Sequence, residues 1–100
     1  MEEILINIVD NMEKRIIFVD EFHIIKYLNN SAKEHYKKKG LCNLVGRSIF
    51  EFHKSETNEK IKSAAKTLED DNSLSKVIIG SATMYAIRVK NKFCGYYEMF

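Results

Sequence analysis

The chain has no proline and no tryptophan, and only four glycines and two cysteines in 100 residues. The two cysteines, Cys42 and Cys94, do not form a CxxC pair, and no other ligand-type spacing accompanies them. That speaks against a structural zinc site and against a disulfide framework. No charge of one sign predominates: 16 Lys and Arg against 14 Asp and Glu leave a net charge of +2. This gives no electrostatic case for nucleic acid, which asks for a concentrated basic face. The one basic run, Lys37-Lys38-Lys39, falls at the end of an expected helix, where cations are favoured by the helix dipole. No apolar run is long enough to span a bilayer and no apolar stretch follows a basic N-terminal region, so the expectation is no membrane contact and a reducing, cytoplasmic setting. Also missing are a Gly-rich phosphate loop, a Gly-x-Ser-x-Gly elbow and a metal-ligand cluster; the expectation is that the protein is not an enzyme. The lack of proline and tryptophan beside abundant Lys, Ile and Asn points to AT-rich codon usage.

What is present reads as one domain. An apolar fraction of 45% with 30% charged residues is an ordinary globular balance, and a chain of this length has no room for a second core. Residues 1–12 are expected to form a helix ahead of a core spanning 13–100. In that helix Ile4, Leu5, Ile8, Val9 and Met12 fall at amphipathic spacing, with Glu2 and Glu3 at its start. Lys14–Asp20 and Ile24–Leu28 read as two strands of a hairpin joined through Glu21-Phe22-His23. Asn29-Asn30-Ser31 opens a short helix over Ala32–Lys39, and Gly40 ends it. Leu41–Phe52 is irregular yet apolar, which predicts short helical turns packed inward. Ser55 or Thr57 is the expected cap of a further helix whose stripe is Ile61, Ala64, Ala65 and Leu68. Leu74–Ile79, Thr83–Val89 and Phe93–Phe100 are extended, with Met84, Ala86 and Arg88 on one face and Tyr85, Ile87 and Val89 on the other. Helix, two strands, a helical middle and three strands predict an α+β domain: an antiparallel sheet with helices over one face.

Several local segments go further. Val19-Asp20, then Ile24–Asn29, Ala32 and Tyr36, place a strand ending in Asp before a strand ending in Asn and a helix carrying Ala. Leu44-Val45-Gly46 sets a glycine after an aliphatic pair, and Gly95-Tyr96-Tyr97-Glu98 begins an aromatic last stretch. In this order the segments resemble the PAS family over essentially the whole chain. One departure is the turn Glu21-Phe22-His23, where the family usually has Asp-Gly or a similar pair. The resemblance implies a five-stranded antiparallel sheet with helices packed on one face, preceded by the amphipathic helix, and a sensory role in signal transduction. Gly46–Lys54 is similar, more narrowly, to the subgroup that includes heme-dependent carbon-monoxide-sensing transcription regulators. His53 matches the iron ligand of that subgroup. The second axial ligand there is a Met at the start of the next strand; here those positions read Ser75-Lys76-Val77, and Met84 is the closest methionine in the later strands. The implied cofactor site is therefore His53 with Met84 and Phe50, holding heme b or else a small apolar ligand, with His53 as the metal ligand. Many PAS domains dimerise through an N-terminal helix, which nominates Ile4, Leu5, Ile8 and Val9 as a homodimer interface acting on a downstream signalling protein. The alternative is a ligand-free PAS dimerisation or docking scaffold.

Plainer readings stand beside these. His53 also suits a helix-start residue bonding a nearby backbone group. His23, in a turn, and His35, on the polar side of a helix, are expected to be solvent-exposed, and no two histidines have helical i, i+4 spacing. Neither cysteine has the surroundings of a flavin photosensor's reactive Cys, so both are expected to act as small apolar residues. Glu51 lies two residues from His53, and an isomerase-like activity would need a buried carboxylate, at Glu51 or Glu98, in an open cavity. Tyr96, Tyr97, Met99 and Phe100 make the last strand aromatic and suit core, dimer or cavity contacts.

Overall fold

The computed structural model describes residues 2–100. The elements follow in order: α1 (Glu3–Asp10), β1 (Ile16–Asp20), β2 (Ile25–Leu28), α2 (Asn30–Lys37), a 3₁₀ turn over Ile49–Phe52, α3 (Ser55–Asp70), β3 (Lys76–Ile79), β4 (Ala82–Val89) and β5 (Lys92–Met99). Five strands form one antiparallel sheet in the order β2-β1-β5-β4-β3. The three hairpins of adjacent strands account for most of this order. The helical middle crosses from one edge of the sheet to the other, so β5 returns to the centre beside β1.

One face of the sheet is the core. Ile17, Val19, Met84 and Tyr96 meet the α3 stripe Ile61, Ala64, Ala65 and Leu68, all buried. The period of 3.6 in α3 and the period of 2 in β4 place apolar groups on facing surfaces, each buried Leu or Ile contributing roughly 1.5–3 kcal/mol. The opposite face carries Tyr27, Phe18, Tyr97 and Tyr85 in register across β2, β1, β5 and β4. All four are half-buried. Tyr85 and Tyr97 stack, with centroids 4.8 Å apart and planes 11° from parallel.

Buried Asn29 fastens three elements. Its Oδ1 accepts from the Ile16 and Ala32 amides, both at 3.0 Å, and its Nδ2 donates to the carbonyls of Val9 (3.0 Å) and Lys14 (2.8 Å). The cap of α2 is thus also the lock on the end of α1 and the entry to β1. Beyond this, α1 is loosely held. Tyr27 donates from its hydroxyl to the Asp10 carboxylate. Ile4, Leu5 and Ile8 are more than half exposed, while Val9 is half-buried.

Three local details depart from expectation. First, α3 is not capped by Ser55 or Thr57. Lys54 takes the cap position without a side-chain bond, and Ser55 is the first helical residue. The Asn58 amide instead ties the helix to the preceding turn through the carbonyls of Phe50 (3.0 Å) and His53 (3.4 Å). Second, the turn between β1 and β2 works without glycine. Asp20 Oδ1 accepts from the amides of Phe22 (2.9 Å) and Ile24 (3.0 Å), and His23 itself takes the left-handed conformation with φ of 65°, which non-glycine residues adopt sparingly. Third, Gly95 lies inside β5, beside a bulge that leaves Cys94 without a partner in β4. A Cβ at Gly95 would stand 2.3 Å from the Val19 carbonyl oxygen, and its φ is 146°. Only glycine fits so close an approach of β1.

Candidate functional site

The alternation that turns Tyr96 into the core also turns Glu98 inward. Glu98 is 5% exposed. Among the described residues its carboxylate makes no hydrogen bond and no ion pair. Burial pushes its pKa up to about 7, because the charged form loses its hydration. Glu98 lines a cavity of about 180 Å³ between the start of α3 and the β3–β4 end of the sheet. His53, Thr57 and Ser81 supply the other polar walls, and Ile61, Ile79, Ala82 and Phe100 the apolar ones.

His53 reaches this cavity from the end of the 3₁₀ turn. That turn begins in a capping box: Ser48 Oγ accepts from the Phe50 amide at 3.2 Å, and Glu51 Oε2 accepts from the Ser48 amide at 3.1 Å. His53 Nδ1 lies 3.0 Å from the Ile49 carbonyl oxygen. A carbonyl only accepts, so Nδ1 is the donor in this contact. Ligating histidines are commonly fixed in this way through the other nitrogen.

Of the residues the resemblance nominates, the structure brings His53 alone to this cavity. Met84 is sealed in the core. Phe50 packs on His23, with ring centroids 4.6 Å apart. Glu51 is exposed and committed to the capping box and to Arg47, whose guanidinium lies 2.9 Å away and holds the carboxyl below its usual range. It makes no acid–base pair with His53, and the buried carboxylate is Glu98. The cavity's size weighs against heme. Pockets for drug-sized ligands start at about 300 Å³, and the macrocycle does not fit a space of about 180 Å³.

The other two histidines are not solvent-exposed as their positions suggest. His23 is half-buried, with Nδ1 2.8 Å from the Tyr96 hydroxyl, and burial lowers its pKa. His35 is also half-buried: Arg15 Nη1 donates to its Nδ1 at 2.6 Å, its ring meets Phe100 edge-on, and burial, then Arg15, lower its pKa. Cys42 is exposed rather than acting as a small core residue, and Cys94 is half-buried at the bulge. A larger cavity of about 430 Å³ lies by α2 and the loop after it, near Leu28, Tyr36 and Leu44. Its charged groups, Lys33 and Lys37, are exposed, whereas the smaller cavity holds the buried residue Glu98. No helix among the described residues is long and apolar enough to cross a membrane.

Comparison with solved structures decides the fold. A PAS domain from Colwellia psychrerythraea superposes with a TM-score of 0.72 at 15% identity, covering 93% of this chain and 88% of that one. The fold is that of a PAS domain. The C-terminal domain of a Streptococcus mutans protein gives a TM-score of 0.75 at 24% identity, over 95% of this chain and 79% of that one. The Aer2 receptor of Vibrio cholerae, a dual PAS-heme oxygen sensor, gives 0.58 at 22% identity, over 91% and 95%. No family model and no curated protein matches the chain. At these identities the likeness shows the PAS fold, as the segments around Gly46 and Gly95 imply, and His53 stands on its own geometry.

Proposed function

We propose that this PAS-fold chain is a sensory module that takes a small ligand in the cavity between α3 and the sheet and passes the change to a second copy. The observation that carries the reading is Glu98, a residue 5% exposed whose carboxyl has no hydrogen-bond partner among the described residues and opens on a cavity also lined by His53. A group like this costs stability unless something completes it, and PAS-fold neighbours include a protein described as a heme oxygen sensor. The output side is supported by the exposed Ile4, Leu5 and Ile8 of α1. The half-buried aromatic row on the sheet's outer face adds a surface that a second copy would cover. The test of ligand sensing is a nitrogen-15 NMR screen of small molecules. Saturable shifts clustered at Ser81, Ala82 and Glu98 support it; a set of compounds that moves none of these amides removes it. The test of output is sedimentation: a dimer that Ile8→Glu converts to monomer supports it, and a monomer in the unaltered protein removes it.

Heme is the finer alternative for the ligand. It is favoured by the His53 ring, held through Nδ1 at the cavity's edge, and opposed by the volume of the cavity. Titration with hemin decides between them. A shifted Soret band that His53→Ala abolishes supports heme, and an unshifted band eliminates it.

A further inference from the structure

We infer that the cavity beside Glu98 binds a small organic cation, a protonated primary amine on a short branched apolar body, whose ammonium pairs with the Glu98 carboxylate. This rests on the cavity being a ligand site and names the class of ligand. The argument is one of complementarity. The polar side chains of the lining, Glu98, His53, Thr57 and Ser81, are all of types that can accept a hydrogen bond. No Lys or Arg lines it, so among the described residues nothing neutralises the carboxylate. A neutral apolar guest would give the carboxyl oxygens no donor, and an anionic guest would repel the ionised form. A primary ammonium is a compact three-donor cation, which matches a lining that combines one carboxyl with other acceptor-type groups and no cation. The remaining walls, Ile61, Ile79 and the Phe100 ring, are apolar and suit a hydrocarbon body. Size sets the limit. About 180 Å³ equals the liquid volume of about six waters, room for a few carbons beyond the ammonium and too little for a bulky quaternary ion.

The test uses three near-isosteric probes on the whole chain: isobutylammonium chloride, isobutanol and sodium isobutyrate, followed by nitrogen-15 NMR. The expected result is saturable movement of the Ser81, Ala82 and Glu98 amides with isobutylammonium, at least tenfold weaker binding of the alcohol, and none of the carboxylate. Glu98→Gln lowers the cation's affinity at least tenfold, while Glu34→Gln, which removes an exposed carboxylate from α2, leaves it unchanged. If Glu98→Gln does not fold, the order of the three probes on the unaltered protein still decides. Alcohol or carboxylate binding as tightly as the cation overturns the assignment of a cation and leaves the ligand cavity standing. Failure of all three to move these amides overturns the cation, and when the wider small-molecule screen also moves none, the ligand cavity falls with it.

Discussion

Replacing Glu98 by glutamine isolates one titration in the folded protein. The carboxyl's pKa rises from the ordinary 4.5 to about 7 on folding. Between those values the native state keeps a proton that the unfolded chain releases, so stability falls as pH rises and the full loss is present above pH 7. A displacement of this size corresponds to about 3 kcal/mol at high pH, of which about 2.5 kcal/mol appears between roughly pH 5 and pH 8. Glutamine keeps a neutral polar group of the same shape and removes the titration. The difference in unfolding free energy, Glu98→Gln minus the unaltered protein, is therefore expected to grow by about 2.5 kcal/mol over that interval, roughly 10–20 °C in Tm for a domain of this size. Other groups titrate in the same range. His23 and His35 have lowered pKa values, so their contributions run the opposite way and are lost as pH falls below the ordinary histidine value. Both proteins share these terms, and the difference cancels them. The assay is urea unfolding followed by circular dichroism at the two pH values. Parallel stability–pH curves for the two proteins would refute the reasoning, because they would mean that Glu98 is solvated or paired in solution.

Three further outcomes follow from the packing. Gly95→Ala sets a methyl group 2.3 Å from the Val19 carbonyl and is expected to cost more than about 4 kcal/mol, read as loss of cooperative unfolding. Asn29→Ala removes the α2 cap and orphans the buried amide of Ile16; about 3 kcal/mol is expected by urea titration, with a smaller loss for Asn29→Asp, which keeps the acceptor. Arg88 donates from its guanidinium to the carbonyls of Leu74 (2.7 Å), Asp71 (3.0 Å) and Leu68 at the end of α3. Arg88→Met is expected to lower stability by about 1–2 kcal/mol and to speed amide exchange in the last turn of α3, with the β4–β5 amides unchanged.

The residue pattern carried the order of elements because each element buries one face with its own period. The stripe Ile61, Ala64, Ala65 and Leu68 is fully buried, and Met84, Ala86 and Arg88 do share the inner face of β4. What escaped it is long-range. His23 looks like a free turn residue until Tyr96, 73 positions away, is brought against it. His35 is covered by Arg15 and Phe100 from the two ends of the core. The start of α3 is not legible from Ser55 or Thr57 because Asn58 bonds backwards to the 3₁₀ turn, tying the helix down where a Ser or Thr cap would. Glu98 did leave a trace. In an alternating strand it shares phase with Tyr96, so a charged residue stood at an inward position. That it would share a cavity with His53 could not be read, since this depends on the helical middle folding over the far end of the sheet.

The stacked pair on the outer face has an optical consequence. With no tryptophan in the chain, ultraviolet emission comes from five tyrosines. Tyr36 and Tyr96 are in the core, whereas Tyr85 and Tyr97 lie ring on ring at the surface, close enough to share an excitation. A second copy laid over that face changes the surroundings of this pair and leaves the core rings alone. Were the chain to associate through that face, this pair would be its intrinsic reporter, read by diluting the unlabelled protein.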